Sequence, residues 1–154
     1  MNRTARFVPV GSGKKHTFAG VEVLIKAFKG ETDHHWSMME YTAPAGFAGP
    51  GLHYHKIMEE GFYVLDGTLT FTLSDGKIEA GAGSLVTVPP YAVHAFSNPS
   101  EHPAHFLVFM SPGGFEGYYD ELLLLMQSEP TWPPRDKGQL EELLRRYDTF
   151  PVTW

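Results

Sequence analysis

The stretch Leu52 to Gly67, LHYHKIMEEGFYVLDG, constrains this chain more than any other. Two histidines one residue apart precede an apolar run, Phe62-Tyr63-Val64-Leu65, which ends in Asp66-Gly67, a preferred pair for a two-residue hairpin turn. Successive side chains on a strand alternate faces, so His53 and His55 lie on one side and reach a common point. Glu59 or Glu60 adds a carboxylate at the start of the run. Two imidazoles and a carboxylate are three metal ligands in want of a fourth. Gly83 to Asn98, GSLVTVPPYAVHAFSN, holds a candidate in His94, at the centre of another strand, turn and strand.

Together the two stretches resemble the paired motifs of the cupin superfamily. The first motif runs Gly, five residues, His-x-His, three or four residues, Glu, six residues, Gly, and His53, His55, Glu60 and Gly67 fit it. Only Glu60 has six residues before Gly67, so Glu60 rather than Glu59 takes the ligand position, and Glu59 is expected beside it in solvent. The second motif runs Gly, five residues, Pro-x-Gly, two residues, His, three residues, Asn, and Gly83, Pro89, His94 and Asn98 fit. Two positions depart from the pattern. Phe47 stands where the first motif opens on Gly, with Gly46, Gly49 and Gly51 around it, so a differently shaped entry loop is expected. Tyr91 stands where the second motif has Gly; a bulky residue does not cheaply take a positive φ, so the turn type there is open while the spacing is kept. The motifs span Gly46 to Asn98, about a third of the chain. The resemblance implies an all-β fold, a jelly-roll β-barrel, with one divalent first-row metal (Fe, Mn, Ni, Co or Zn) held by His53, His55, Glu60 and His94. In the oxygenases of that superfamily the Glu also serves as a base, which makes Glu60 the candidate catalytic residue.

The rest of the chain fits around this centre. From 52 to 110, Asp66-Gly67, Asp75-Gly76, Gly81-Ala82-Gly83, Pro89-Pro90 and Asn98-Pro99 bracket short segments rich in Thr, Val, Phe and Leu, the spacing of an all-β sandwich or barrel. Thr68 to Leu73 alternates threonine with large apolar residues and predicts a half-buried strand. Phe62 to Leu65 and Phe106 to Met110 are apolar at both parities, so a cover over their outer face is expected, from the C-terminal helices or a second subunit. Upstream, strands are predicted around Val21, Val23 and Ile25 and over Trp36 to Thr42, with an edge strand at Phe7 to Val10 and a flexible turn at Gly11 to Lys15. Downstream the period changes: Phe115 to Gln127 and Gln139 to Tyr147 predict two helices, separated by the Pro-rich segment 128–138. This tail is similar, more loosely, to the C-terminal extensions of single-domain cupins grouped with quercetin dioxygenase. One domain over 1–154 is expected, with a barrel core at about 20–110 and a helical extension over 112–150.

Composition narrows the chemistry. The absence of cysteine excludes disulfides, thiolate ligands and a cysteine nucleophile, so a metal here must use nitrogen and oxygen. The net charge of −6, with no basic run, argues against nucleic acid or an anionic membrane as partner. No stretch approaches the ~20 apolar residues of a membrane span or the apolar core of a leader. A soluble cytoplasmic protein, with a homodimer as its assembly and a small molecule as its substrate, is the expectation. Parity from Glu60 and His94 turns Phe62, Val64, Phe96, Val86 and Val88 inward and predicts a mostly apolar metal cavity without lysine or arginine. That cavity suits a hydrophobic or aromatic chelating compound and disfavours a phosphate or sugar acid. The resemblance then points to a metal-dependent dioxygenase of the quercetinase kind, with a redox-neutral isomerase, cyclase or lyase, or a non-catalytic binding module, as the alternatives. The other histidines read as peripheral: His34 and His35 as surface or loop residues, His16 and His102 as exposed, and His105 as able to face either way. Tyr41, Tyr63 and Trp36 read as ordinary packing.

Overall fold

The computed structural model describes residues 4–152. Its elements run β1 (Lys14–Phe18), β2 (Val21–Ala27), a 3-10 turn (Lys29–Glu31), β3 (Ser37–Ala43), β4 (His53–Tyr54), β5 (Glu59–Asp66), β6 (Thr68–Leu73), β7 (Gly76–Gly81), β8 (Leu85–Val88), β9 (His94–Ser97), β10 (Ala104–Ser111), α1 (Glu116–Ser128), α2 (Gly138–Arg146) and β11 (Phe150–Pro151). Two antiparallel sheets face each other. One has six strands in the order β1-β2-β3-β10-β5-β8, the other five in the order β11-β4-β9-β6-β7. The sheets of this jelly roll are joined where Gly67 turns β5 into β6. Gly67 has φ +77°, and a Cβ there would sit 2.7 Å from the Pro103 carbonyl, so the site requires glycine.

Strand parity builds the core. On β5, Glu60, Phe62 and Val64 are buried, and opposite them on β10 stand Met110, Val108 and Phe106. On β3 every second residue, Ser37, Met39, Tyr41 and Ala43, is buried. β6 is half buried as its alternation predicts, with Leu69 and Phe71 fully enclosed. Of the two covers expected for the outer face of β5 and β10, this chain does not supply the helical one. Tyr63, Leu65 and Phe109 are exposed, as are the neighbouring Leu85 and Trp36, and Trp36 lies 6.4 Å from Phe109 ring to ring. The C-terminal helices do not cover this face, because they are drawn instead to the opening between the sheets. There Tyr119 of α1 packs on His16 and Phe18 of β1.

Two further expectations are corrected, at residues 7–15 and at His16, and the turn left open at Tyr91 is defined. Residues 7–10 form no strand; the pairing edge begins at Lys14, so Lys14 and Lys15 belong to β1 rather than to a turn. His16 is only 5% exposed, because it falls on the inward parity of β1 and is roofed by Tyr119. Tyr91 takes the left-handed conformation after all, at φ +67°, with its N–H donating to the His55 carbonyl at 2.6 Å and its ring stacked 6.2 Å from Tyr54. These contacts keep the glycine-like turn with a tyrosine in it.

Candidate metal centre

Local structure brings the four predicted side chains together. His53 and His94 are register partners across β4 and β9, His55 follows β4 directly, and Glu60 is the first inward residue of β5. Their donor atoms all lie within 4.8 Å of one another, and none of the four residues is more than 8% exposed. The turns that aim them carry the remaining motif residues. Buried Asn98 donates from Nδ2 to the carbonyls of Pro44 at 3.0 Å and His102 at 2.7 Å, and accepts at Oδ1 from Ser100 Oγ at 2.7 Å. Phe47, where the motif has glycine, forms an isolated bridge to Asn98, and the entry loop takes its positive φ at Gly46 and Gly49 instead. Glu59 points to solvent, as expected.

Each imidazole has its Nδ1 fixed by a backbone carbonyl: His53 by Gly51 at 2.8 Å, His55 by Asp148 at 2.8 Å, and His94 by Ala92 at 3.0 Å. Donation from Nδ1–H leaves Nε2 as the lone-pair nitrogen of a neutral ring. Yet Nε2 of His55 and of His94 stand 3.1 and 2.8 Å from the same Glu60 oxygen, Oε2. Lone pairs against a carboxylate repel unless a cation, a proton or a metal ion, lies between them. Burial pushes the His53 imidazole down to about 4, helped by His94 nearby, so this ring stays neutral. Burial by itself would raise the Glu60 carboxyl, but hydrogen bonding and charge from His55 and His94 hold it at about 2. For His55, burial opposes protonation and Glu60 outweighs it, raising its affinity for a proton. Three oriented imidazoles and an ionised carboxylate fit a borderline divalent ion, and the carbonyls behind the rings are the outer support such sites use.

Two residues of the cluster, His53 and Glu60, line a cavity of about 600 Å³. Of the residues placed inward by parity, Phe62 and Phe96 line it, whereas Val64, Val86 and Val88 are buried in the packed core. The lining contains no lysine or arginine, as expected. Tyr41 lines the cavity rather than serving as packing alone, while Tyr63 and Trp36 are exposed on the outer sheet face. His34, His35 and His102 are exposed, and His105 is half-buried away from the cluster.

Two contributions escape a reading of the motifs. Tyr118 and Tyr119 of α1 line the cavity, and the only local signal is an aromatic pair at the start of a helix. Asp148, just beyond α2, holds the centre from behind. Its Oδ2 accepts from the N–H groups of Ile57 and Met58, both at 2.8 Å, its Oδ1 accepts from Lys56 N–H at 3.1 Å, and its carbonyl is the one that fixes His55. β11 then pairs with β4, placing Phe150 against Tyr54 and Pro151 against His53. No sequence signal links positions 93 residues apart.

A family model described as a cupin domain matches residues 39–110. No curated protein matches the chain. Among solved structures it is similar to KdgF from Halomonas sp., at 17% identity and TM-score 0.64, with 74% of this chain and 99% of that one covered. A predicted oxalate decarboxylase from Thermotoga maritima matches at 18% identity and TM-score 0.64, covering 70% and 99%. The polyketide cyclase RemF from Streptomyces resistomycificus matches at 18% identity and TM-score 0.61, covering 70% and 80%.

Proposed function

We propose, from the cupin-domain match over residues 39–110 and the shared fold, that the chain is a metal-dependent dioxygenase acting on a small hydrophobic or aromatic compound that chelates the ion. The observation behind this reading is a four-donor cluster that reaches, through His53 and Glu60, an aromatic cavity offering a substrate no fixed positive side chain. His53, His55, Glu60 and His94 would hold one first-row divalent ion. When bound, such an ion supplies Lewis acidity and, if redox-active, electron transfer between substrate and dioxygen. The chain's own residues do the rest. Phe47, Phe62 and Phe96 pack against a flat substrate and exclude bulk water. Glu60, which lines the cavity, is the residue placed to accept a proton from a substrate hydroxyl. The exposed apolar face around Tyr63, Leu65 and Phe109 is where we place the contact of a homodimer.

A redox-neutral isomerase, cyclase or lyase is the second reading, favoured by phenol groups in the same cavity as the carboxylate, which pairs a proton donor with an acceptor. Oxygen uptake separates the two. With Fe, Mn, Ni or Co loaded, the first reading expects oxygen consumption that depends on an aromatic hydroxy-ketone substrate. Turnover by the zinc form under nitrogen would replace it with the second. Binding without turnover in every metal form would leave a binding module.

A further inference from the structure

Tyr41 of β3 and Tyr118 and Tyr119 of α1 meet in the cavity from different parts of the chain. Tyr118 and Tyr119 lie 5.5 Å apart ring to ring, and Tyr41 and Tyr119 are only 5% and 6% exposed. Buried phenols ordinarily find a hydrogen-bond partner, and leaving one unpaired is unfavourable. Tyr147 follows the rule, donating to Glu121 Oε1 at 2.6 Å. Among the described residues, no hydrogen bond reaches the hydroxyl of Tyr41, Tyr118 or Tyr119. Nor are these oxygens sealed in the core: the fully enclosed, unpaired side-chain atoms among the described residues are His16 Nε2 and Ser37 Oγ. The three phenol oxygens therefore keep some accessible surface, on residues that line the cavity.

Burial raises all three phenols above their ordinary range, Tyr118 to about 12, and Tyr119 is raised further by Tyr41, Tyr118 and Glu60 nearby. They stay protonated at physiological pH and act as donors. A fixed anion such as a phosphate finds no lysine or arginine here, whereas a conjugated carbonyl oxygen needs only O–H donors and aromatic walls.

We propose that Tyr41, Tyr118 and Tyr119 form a neutral donor set for a carbonyl oxygen of the substrate, which is thus a flat aromatic compound with one oxygen site at the cluster and a second, carbonyl, site at the phenols. This rests on the cavity being the substrate site of the proposed function. Tyr118 and Tyr119 lie outside residues 39–110 and Tyr41 inside, so the helical extension and the matched domain select the substrate together.

The test uses two probes of similar shape, 1-hydroxyanthraquinone, with a distal carbonyl besides its chelating hydroxy-ketone, and 1-hydroxyanthrone, which lacks the distal carbonyl. Each is titrated by absorbance against the zinc-loaded full chain of wild type, Tyr41→Phe and Tyr119→Phe, and against His94→Ala in the same zinc-containing buffer. Loss of one neutral donor should weaken the anthraquinone by roughly tenfold. The anthrone should change by less than about twofold in the same phenylalanine variants, which keep the rings and their packing. Equal binding of the anthraquinone by wild type and both phenylalanine variants, with weakening only in His94→Ala, overturns the donor set and leaves the metal cavity standing. Failure of wild type to bind either probe overturns the substrate class together with the donor set.

Discussion

Two walls of one cavity treat their polar groups in opposite ways. At the cluster, every imidazole has its Nδ1 committed to a backbone carbonyl, and the carboxylate is shared between two rings, so positions and tautomers are set in advance. On the wall formed by β3 and α1, Tyr41, Tyr118 and Tyr119 have ring contacts but no hydroxyl partner. The contrast suits the two kinds of guest. A small ion leaves no room to adapt and needs rigid donors, whereas an organic ligand completes hydrogen bonds that the empty wall leaves unmade.

The strongest way to break the contrast is to remove a fixed donor. His94→Ala is expected to abolish metal binding while circular dichroism stays that of the folded barrel, against about one ion per wild-type chain by elemental analysis. Full occupancy in that variant would contradict the ligand assignment. Loosening the support without touching a ligand should do less. Asp148→Ala removes three acceptor contacts to residues 56–58 and strains a backbone at φ +53°, and metal affinity measured by chelator competition should fall by ~10–100-fold. Asp148→Asn, which tolerates that φ and keeps a carbonyl acceptor, should lose less. An altered visible spectrum of the cobalt form in Asp148→Ala would tie the loss to ligand geometry; an unchanged affinity would reduce the C-terminal strap to a passive cover.

The smallest effect sharpens the other wall. His16, beneath Tyr119, is held below the usual imidazole range by burial, with Asp120 partly opposing and Lys14 adding to the shift. Its folded pKa is lower than its unfolded one, so the unfolded chain takes up the proton first. Its contribution to stability is complete above the unfolded pKa and is lost as pH falls through that value toward the folded one. Between about pH 7.5 and 5.5, wild type should lose about 1–3 °C more in Tm than His16→Gln, the cluster histidines being common to both. Parallel Tm curves would show that protonation of His16 costs the fold nothing.

His53 and His55 were legible from strand period, while Glu60 over Glu59 and His94 came from the motif spacing of the family the chain resembles. A period of two puts His53 and His55 on one side, and in the motifs of the family it resembles Glu60 stands six residues before Gly67 and His94 between Pro89 and Asn98. The same rule gave the inward parity of Phe62 and Phe96 and the half-buried strand Thr68–Leu73. Composition alone removed thiolate chemistry. What it took the tertiary structure to decide lies wherever distant segments dock. The outer face of β5 and β10 is uncovered because both helices settle at the mouth of the barrel. His16 is buried because α1 lies over it, and Tyr91 adopts a glycine conformation because His55 and Tyr54 meet it there. The carbonyl of Asp148 behind His55 and the convergence of Tyr41 with Tyr118 and Tyr119 follow from where the C-terminal segment packs. Strand period and turn chemistry are written in neighbouring residues, but docking is settled by the burial of whole faces, which no local spacing encodes.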